Sequence, residues 1–204
     1  VQGNVRVWGV TNDEFPLKFT ARVLTGAIAD IAWTGDSQRI AAVGEGKEKL
    51  GAVFRWDAGS SVGEVTGHTK PLLGADLRPQ RPFRLATGGE DATVGWFEGP
   101  PFKFKRAQKT HGRFVNGVRF SPDGELVAVV SSDKQVSVYD GKSGELKWVK
   151  AGHGAGVYDV AWSADSQRFV TAGADKAAVV WSRDGDVVER HVLGTTTEKQ
   201  QLGA

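Results

Sequence analysis

Three of the four histidines occupy one position of a repeating pattern, and each is followed by an aspartate at a similar distance. The three pairs are His68 with Asp91, His111 with Asp133, and His153 with Asp175. In the first and last pairs a threonine, Thr87 or Thr171, stands four residues before the aspartate. A histidine, a hydroxyl and an aspartate are also the components of a catalytic triad, in which the histidine activates the hydroxyl as a nucleophile.

The repetition favours a structural role for these residues over a catalytic one. A triad needs one exposed nucleophile, whereas this set recurs at a constant spacing and has Thr in place of Ser. Histidines that belong to separate repeats are also too far apart to converge on one metal ion. The chain contains no Cys, which excludes disulfides and thiolate zinc sites. We therefore predict no catalytic residue, no metal and no cofactor.

An aromatic residue six positions after each aspartate extends the set to a hydrogen-bonded tetrad. His153, Thr171, Asp175 and Trp181 are predicted to form a complete tetrad inside one repeat, because buried polar groups must satisfy one another. His68, Thr87 and Asp91 are predicted to form the same arrangement with Phe97 in place of the tryptophan. The His111 set has Val129 where the others have threonine, so it is predicted to lack the hydroxyl.

The elements that position these sets follow from two series of short apolar segments with a period near 42 residues. The first series ends at Trp8, Trp56, Phe97, Tyr139 and Trp181, and the second at Trp33, Leu77, Phe120 and Trp162. Each unit holds four runs rich in β-branched and aromatic residues, separated by turn sequences such as Ser121-Pro122-Asp123-Gly124. Four strands in about 40–45 residues are typical of a WD-repeat propeller blade.

The predicted fold is all-β, a β-propeller of WD-repeat type with four complete blades and a partial one. The blades are predicted at residues 28–66, 72–109, 115–151 and 157–193, with the third and fourth strands of a preceding blade at 4–24 and the start of a next one at 194–204. The first and last segments together lack a second strand and cannot close a fifth blade. We therefore expect the chain to be a fragment of a longer propeller.

Composition and charge give no reason to expect nucleic acid or a membrane as a partner. The net charge of +2 is spread along the chain, which gives no electrostatic reason to expect nucleic acid. No apolar run approaches the roughly 18 residues that a membrane span needs, so no membrane partner is predicted. The stretch "FKFKRAQK" combines phenylalanines with four basic residues, but without a wider basic groove it does not predict single-stranded nucleic acid binding.

Several stretches resemble the actin-interacting protein 1 family, the WD-repeat partners of cofilin (actin-depolymerising factor). They include "IADIAWTGDSQRIAAVGEGKEKLGAVFRWDAGSSVGEVTGH", "RPFRLATGGEDATVGWFEGPPFKFK", "FVNGVRFSPDGELVAVVSSDKQVSVYDGKSGE" and "QQLG". The Gly-Glu-Gly hairpin and "EGPPFKFK" are the specific parts, because generic WD repeats lack them. The resemblance implies part of the first of two seven-bladed propellers and a cytoplasmic, non-enzymatic protein of the actin cytoskeleton. It also implies binding to cofilin-decorated actin filaments, their severing and disassembly, and barbed-end capping.

Three positions correspond, through this resemblance, to the family's actin- and cofilin-facing residues: Glu48, Glu90 and Phe104. The family usually has Asp at the position of Glu90, which keeps the charge on a longer side chain. Equivalent turns of adjacent blades share one face, so the two acids are expected on the same side of the molecule. Phe102 and Phe104 are expected to alternate with lysines along an outer strand, with Phe102 packed between blades and Phe104 available to a partner.

One repeat departs from the pattern and leaves two interpretations open. Leu24 stands in place of the histidine, and a longer hairpin is predicted to expose Glu45, Lys47, Glu48 and Lys49. The glycines around this hairpin lack the Lys-Ser/Thr ending of a phosphate-binding loop. The hairpin is either a structural variant or a contact loop. A generic WD-repeat scaffold, such as a signalling or ubiquitin-ligase adaptor, remains the alternative to an actin-binding protein.

Overall fold

The computed structural model describes residues 3–10 and 14–192, and this part of the chain consists of β-strands and turns without helices. The strands are β1 (Asn4–Trp8), β2 (Leu17–Arg22), β3 (Ile28–Trp33), β4 (Arg39–Gly44), β5 (Gly51–Arg55), β6 (Ser61–Glu64), β7 (Leu72–Leu77), β8 (Arg84–Gly89), β9 (Val94–Glu98), β10 (Lys103–Gln108), β11 (Val115–Phe120), β12 (Leu126–Ser131), β13 (Gln135–Asp140), β14 (Leu146–Ala151), β15 (Val157–Trp162), β16 (Arg168–Gly173), β17 (Ala177–Ser182) and β18 (Val187–Val192).

The strands form four four-stranded antiparallel sheets and one two-stranded sheet. The larger sheets are β3–β6, β7–β10, β11–β14 and β15–β18, and β1 pairs with β2. These sheets are four blades and a partial blade of a β-propeller, so the predicted fold class is confirmed. Residue 193 of the last predicted blade, the segment 194–204 and the "QQLG" motif lie outside the described residues.

The turns between first and second strands use the chemistry that the sequence predicts. The Gly124 N–H donates to the Ser121 carbonyl at 2.7 Å, and Gly124 has a φ of 68°. Glycine suits this position because a left-handed conformation costs it little. The equivalent residues Ser37 and Ser166 adopt φ values of 55° and 60°, so two of the other repeats accept some backbone strain for the same turn.

Burial along the strands shows that the core lies between the blades. Strand β12 is buried at all six residues because neighbouring sheets cover both of its faces. Strand β16, in the last sheet, is buried only at alternate residues, as expected for one covered face. The outermost strand β18 is exposed throughout.

The first strands β3, β7, β11 and β15 pack against one another and carry a charge cluster where they meet. The Asp30 carboxylate accepts hydrogen bonds from the Ala75 N–H at 3.0 Å and from Arg119 Nη1 at 2.8 Å. The Asp76 carboxylate accepts one from the Phe120 N–H at 2.7 Å. Each aspartate therefore ties the first strand of its blade to the next blade.

Burial raises the pKa of Asp76 to about 6, although two backbone N–H groups and the nearby Arg119 favour its charged form. The nearby Asp30 carboxylate raises the pKa of Asp76 further, because a like charge disfavours ionisation. The sequence pattern does not point to this cluster, because its members belong to three different repeats. The described residues include no helix long and apolar enough to cross a membrane.

Candidate functional site

The His153 set forms a continuous hydrogen-bonded chain inside the last blade. His153 Nδ1 lies 2.9 Å from an Asp175 carboxylate oxygen, and Nε2 lies 2.8 Å from the Thr171 hydroxyl. The Trp181 indole N–H donates to the same hydroxyl at 2.9 Å. Thr171 and Trp181 are fully buried. The hydroxyl is therefore occupied by internal partners and is not available to a substrate.

The pKa of Asp175 reflects this arrangement. Burial by itself would raise the pKa of the carboxyl, but the hydrogen bonds from His153 and from the Gly154 N–H hold it well below its usual range. The Arg190 guanidinium also contacts the carboxylate, at 2.7 Å. An aspartate that stays ionised under all ordinary conditions orients the imidazole permanently, which suits a structural bond.

The His68 set has the same geometry without the indole. His68 Nδ1 lies 3.0 Å from Asp91, and Nε2 lies 2.8 Å from the Thr87 hydroxyl. Burial lowers the pKa of His68, and the Asp91 carboxylate only partly counteracts this effect. The imidazole is consequently neutral at neutral pH, so it donates to Asp91 and accepts from Thr87. Phe97 occupies the tryptophan position and is buried.

The His111 set contains a hydroxyl that the alignment of the repeats did not predict. His111 Nε2 lies 2.8 Å from the Ser137 hydroxyl, and Nδ1 lies 3.0 Å from Asp133. The prediction that this set lacks the hydroxyl is therefore wrong. Ser137 is the cross-strand partner of Val129, so the hydroxyl enters from β13 instead of β12. Cross-strand partners project from the same face, which makes the two positions interchangeable.

Moving the hydroxyl between these two positions provides a direct test. Ser137→Ala leaves His111 Nε2 without its buried partner, and we expect a loss of about 1–2 kcal/mol in the free energy of unfolding. The double variant Val129→Thr/Ser137→Val recreates the Thr171–Val179 pair of the last blade and should recover most of this loss. Urea unfolding of both variants measures the effect. A Ser137→Ala protein as stable as wild type would contradict the assignment.

The described residues contain no group of three or more histidine, aspartate or glutamate side chains arranged to hold a metal ion. Each histidine of the tetrads is bonded within its own blade. The hydroxyls and imidazoles of these sets are therefore occupied by hydrogen bonds inside the blades.

The turns that follow the second strands lie on the same face as the connections between blades, here called the connection face. It comprises the turns 45–50, 90–93, 132–134 and 174–176 and the connections 65–71, 109–114 and 152–156. Backbone hydrogen bonds join them: the Glu90 N–H donates to the Pro71 carbonyl and the Ser132 N–H to the Phe114 carbonyl, each at 2.9 Å.

The structure places Glu48 and Glu90 in equivalent turns of adjacent blades on the connection face. Glu48 is exposed in the long β4–β5 turn, and Glu90 is half-buried in the tighter β8–β9 turn. Glu45 and Lys47 are exposed as the sequence predicts, but Lys49 is half-buried. Gly46 passes so close to the Lys49 carbonyl that a side chain at Gly46 would collide with it. The hairpin conformation therefore requires glycine at this position.

Phe104 lies on the outer edge of the same blade as Glu90. It pairs with Phe97 across the β9–β10 ladder, and the two ring centroids are 5.5 Å apart in an edge-to-face arrangement. The Phe104 side chain is 41% exposed. Its ring also covers Gly67, which has a φ of 85° and no room for a side chain. Phe104 is thus held in place on one side and open to solvent on the other.

Phe102 differs from Phe104 in its surroundings. It is buried with the core between two blades, and its N–H donates to the Val62 carbonyl of the preceding sheet at 2.9 Å. Strand β10 begins only at Lys103, and a register shift follows Phe104. The sequence predicted that Phe102 and Phe104 alternate with lysines along one regular strand. This prediction is wrong, because Phe102 lies before the strand and the register shifts after Phe104. Phe102 nevertheless belongs to the same core cluster as Phe97, the residue whose ring Phe104 contacts.

A groove of about 710 Å³ opens on the connection face beside Glu90. Its walls come from three blades and include Lys70, Lys109, Arg113, Phe114 and Tyr158. Lys70 and Arg113 stand at one repeat position, two residues after His68 and His111, but the repeat pattern gives no reason to expect Lys109, Phe114 and Tyr158 beside them. The available signal is that Lys70 and Arg113 each follow a tetrad histidine by two residues, in connections that the repeat alignment assigns to this face. Glu48 and Phe104 do not line the groove.

A family model described as "WD domain, G-beta repeat" matches residues 102–140 and 144–182. Each match contains the outer strand of one blade and the three inner strands of the next. The sequence repeat is therefore offset from the blade by one strand, so that every repeat joins two neighbouring blades.

Curated relatives extend the similarity. The chain is 56% identical over 140 residues to "WD repeat-containing protein 1" of Bos taurus and 55% identical to the protein of that name in Gallus gallus. It is 54% identical over 140 residues to the "66 kDa stress protein" of Physarum polycephalum. These alignments cover 69% of this chain and 23% of each relative. The matched region thus spans about a quarter of the length of those proteins.

Proposed function

Because this chain is a WD-repeat protein whose homologues include WD repeat-containing protein 1, also named actin-interacting protein 1, we propose that it regulates the actin cytoskeleton without catalysis. In this proposal it acts in the cytoplasm, binds actin filaments decorated with cofilin, and promotes their severing, disassembly and barbed-end capping. The observation that carries the proposal is the identity above 50% with relatives from an animal and from Physarum polycephalum.

A non-enzymatic protein can dismantle filaments only through differences in affinity. It must bind the decorated or broken filament more tightly than the intact one, because a ligand shifts an equilibrium only by its differential affinity for the two states. A rigid array of blades suits this role, since its surface positions are set by packing and change little on binding. The tetrads contribute to this rigidity, because their polar groups form hydrogen bonds with one another inside each blade.

The placement of Glu48 and Glu90 supports the assignment of the contact surface. Both carboxylates lie on the connection face, and neither forms an ion pair with another described residue. Two uncompensated acids on adjacent blades match a partner with basic groups at a similar spacing. Phe104 adds a half-exposed aromatic ring of the type that anchors protein interfaces.

Sedimentation with actin filaments, with and without cofilin, tests this proposal. We expect the wild-type chain to sediment preferentially with decorated filaments. The triple variant Glu48→Ala/Glu90→Ala/Phe104→Ala should bind at least about ten-fold more weakly, because interface anchors commonly contribute more than about 1 kcal/mol each. The same variants should lose their effect on cofilin-dependent disassembly in a fluorescence assay.

The matched control removes two acids and one exposed apolar side chain elsewhere. Glu145, Leu146 and Glu189 are exposed and do not belong to the connection face. Their combined replacement by alanine should leave sedimentation unchanged. Equal binding by the triple variant and wild type would refute the contact residues. A wild-type chain that fails to bind filaments in every condition would favour the generic WD-repeat scaffold instead.

A further inference from the structure

The groove on the connection face has an uneven charge distribution. Lys70, Lys109 and Arg113 line it, against the acids Glu90 and Asp91. Asp91 keeps its negative charge but is occupied within its blade, because its carboxylate accepts hydrogen bonds from His68 and from the Thr69 N–H. Glu90 is therefore the single acid that remains available among the described lining residues, and the groove carries a net positive charge.

The three cations have no acidic partner within the described ranges 3–10 and 14–192. None of them takes part in an ion pair there. They also come from two separate connections, with Lys70 before β7 and the other two before β11. A ligand that satisfies all three must therefore extend across at least two blades.

The groove also contains two exposed aromatic side chains. Phe114 is 44% exposed and Tyr158 is 60% exposed, and both line the groove. Large apolar side chains that face a concave surface favour a ligand with an apolar group of its own, because burial removes both surfaces from water. The groove thus combines separated positive charges with an apolar wall.

We propose that this groove binds an extended acidic segment of a protein partner, with an aromatic or large aliphatic side chain of that segment placed against Phe114 and Tyr158. Acidic side chains on either side of the apolar anchor pair with Lys70, Lys109 and Arg113. An inorganic anion does not use the aromatic wall, and a purely apolar peptide does not use the cations. Glu90 belongs both to this groove and to the proposed actin contact, whereas Glu48 and Phe104 lie outside the groove. The two sites are therefore distinguished by variants of Lys109 and Arg113, which leave all three proposed actin contacts unchanged.

Fluorescence anisotropy of a labelled peptide tests the inference in the absence of actin and cofilin. The probe has the sequence Gly-Glu-Glu-Ser-Phe-Ser-Glu-Glu-Gly, with two comparison peptides that replace every Glu by Lys or the Phe by Ala. We expect the Lys peptide to bind at least about ten-fold more weakly than the probe and the Ala peptide to be weakened less. Probe affinity should fall between about 50 mM and about 300 mM salt, because ions screen exposed charges.

Charge reversal assigns the binding to the groove. Lys109 and Arg113 are exposed, so Lys109→Glu/Arg113→Glu should fold normally and weaken probe binding by at least about ten-fold. Lys47→Glu changes a lysine on the same face outside the groove and should bind as wild type does. A milder pair, Lys70→Gln/Lys109→Gln, replaces the first variant if its circular dichroism differs from wild type.

Three outcomes would overturn the proposal. The first is undetectable binding of the probe by the wild-type chain, and the second is equal weakening by Lys47→Glu and by the groove variants. The third is a short oligothymidylate that binds as tightly as the peptide, which would indicate an unspecific polyanion surface. Loss of peptide binding with intact actin sedimentation, or the reverse, separates this inference from the proposed function.

Discussion

Replacing Asp76 with asparagine is expected to stabilise the protein at about pH 8 by about 2 kcal/mol. Burial raises the pKa of Asp76 to about 6, so the carboxyl is ionised at pH 8 at a cost in folding free energy. Raising the pKa of the carboxyl from its ordinary value to about 6 corresponds to about 3 kcal/mol, and the asparagine loses part of this gain. It has one oxygen to accept the N–H groups of Leu77 and Phe120, which now bond to two oxygens.

The sign of the pH dependence follows from the direction of the shift. The folded-state pKa of Asp76 lies above the unfolded value, so its contribution to stability is complete below about pH 4 and is lost as the pH rises through about 6. The difference in stability between Asp76→Asn and wild type should therefore grow from about pH 5 to about pH 8. Arg119 and Asp30 face the same carboxyl, and their opposing charges are unchanged by the substitution.

Urea unfolding of both proteins at about pH 5 and about pH 8 measures this effect. Comparing the variant with wild type at each pH removes the pH-dependent contributions that the other groups make equally to both proteins. Asp184→Asn, at an exposed position, is the control and should change stability equally little at both pH values. A constant difference between Asp76→Asn and wild type would show that Asp76 does not titrate near pH 6.

Replacing Thr171 with valine is expected to destabilise the protein by about 3 kcal/mol. Valine has nearly the shape of threonine, so packing is retained and only the hydroxyl is lost. The buried His153 Nε2 and the Trp181 indole N–H then both lack a partner. Each unsatisfied buried group costs about 1–3 kcal/mol, and the two losses occur together.

Thr171→Ser is the matched control, because it keeps the hydroxyl and removes one methyl group. It should recover more than half of the stability lost in Thr171→Val, although the missing methyl has a smaller cost of its own. The urea midpoint should move without a change in the slope, since the surface exposed on unfolding is the same. A Thr171→Val protein more stable than Thr171→Ser would mean that packing, not hydrogen bonding, governs this position.

The blade that contains His111 shows where a prediction made from single strands fails. Thr87 and Thr171 mark their tetrads at a constant distance from the aspartate, and the structure brings both to their histidines. Ser137 fulfils the same contact from the neighbouring strand. It could not be recognised by spacing along the chain, because equivalence across a ladder depends on strand register. Phe102 is similar, since its burial depends on the blade that precedes it.

The sequence by itself determined the propeller blades, the polar sets around His68 and His153, and the face on which Glu48 and Glu90 lie. These features depend on contacts within one repeat of near-constant length, so periodicity and turn residues are sufficient to predict them. Only the tertiary structure decided which residues of different repeats meet. Asp30 and Arg119 are joined across two blade boundaries, and Lys70, Arg113 and Tyr158 share a groove formed by three blades. Blade stacking creates these contacts through packing and twist. Repeat spacing alone therefore does not show which residues meet, even for Lys70 and Arg113, which occupy the same repeat position.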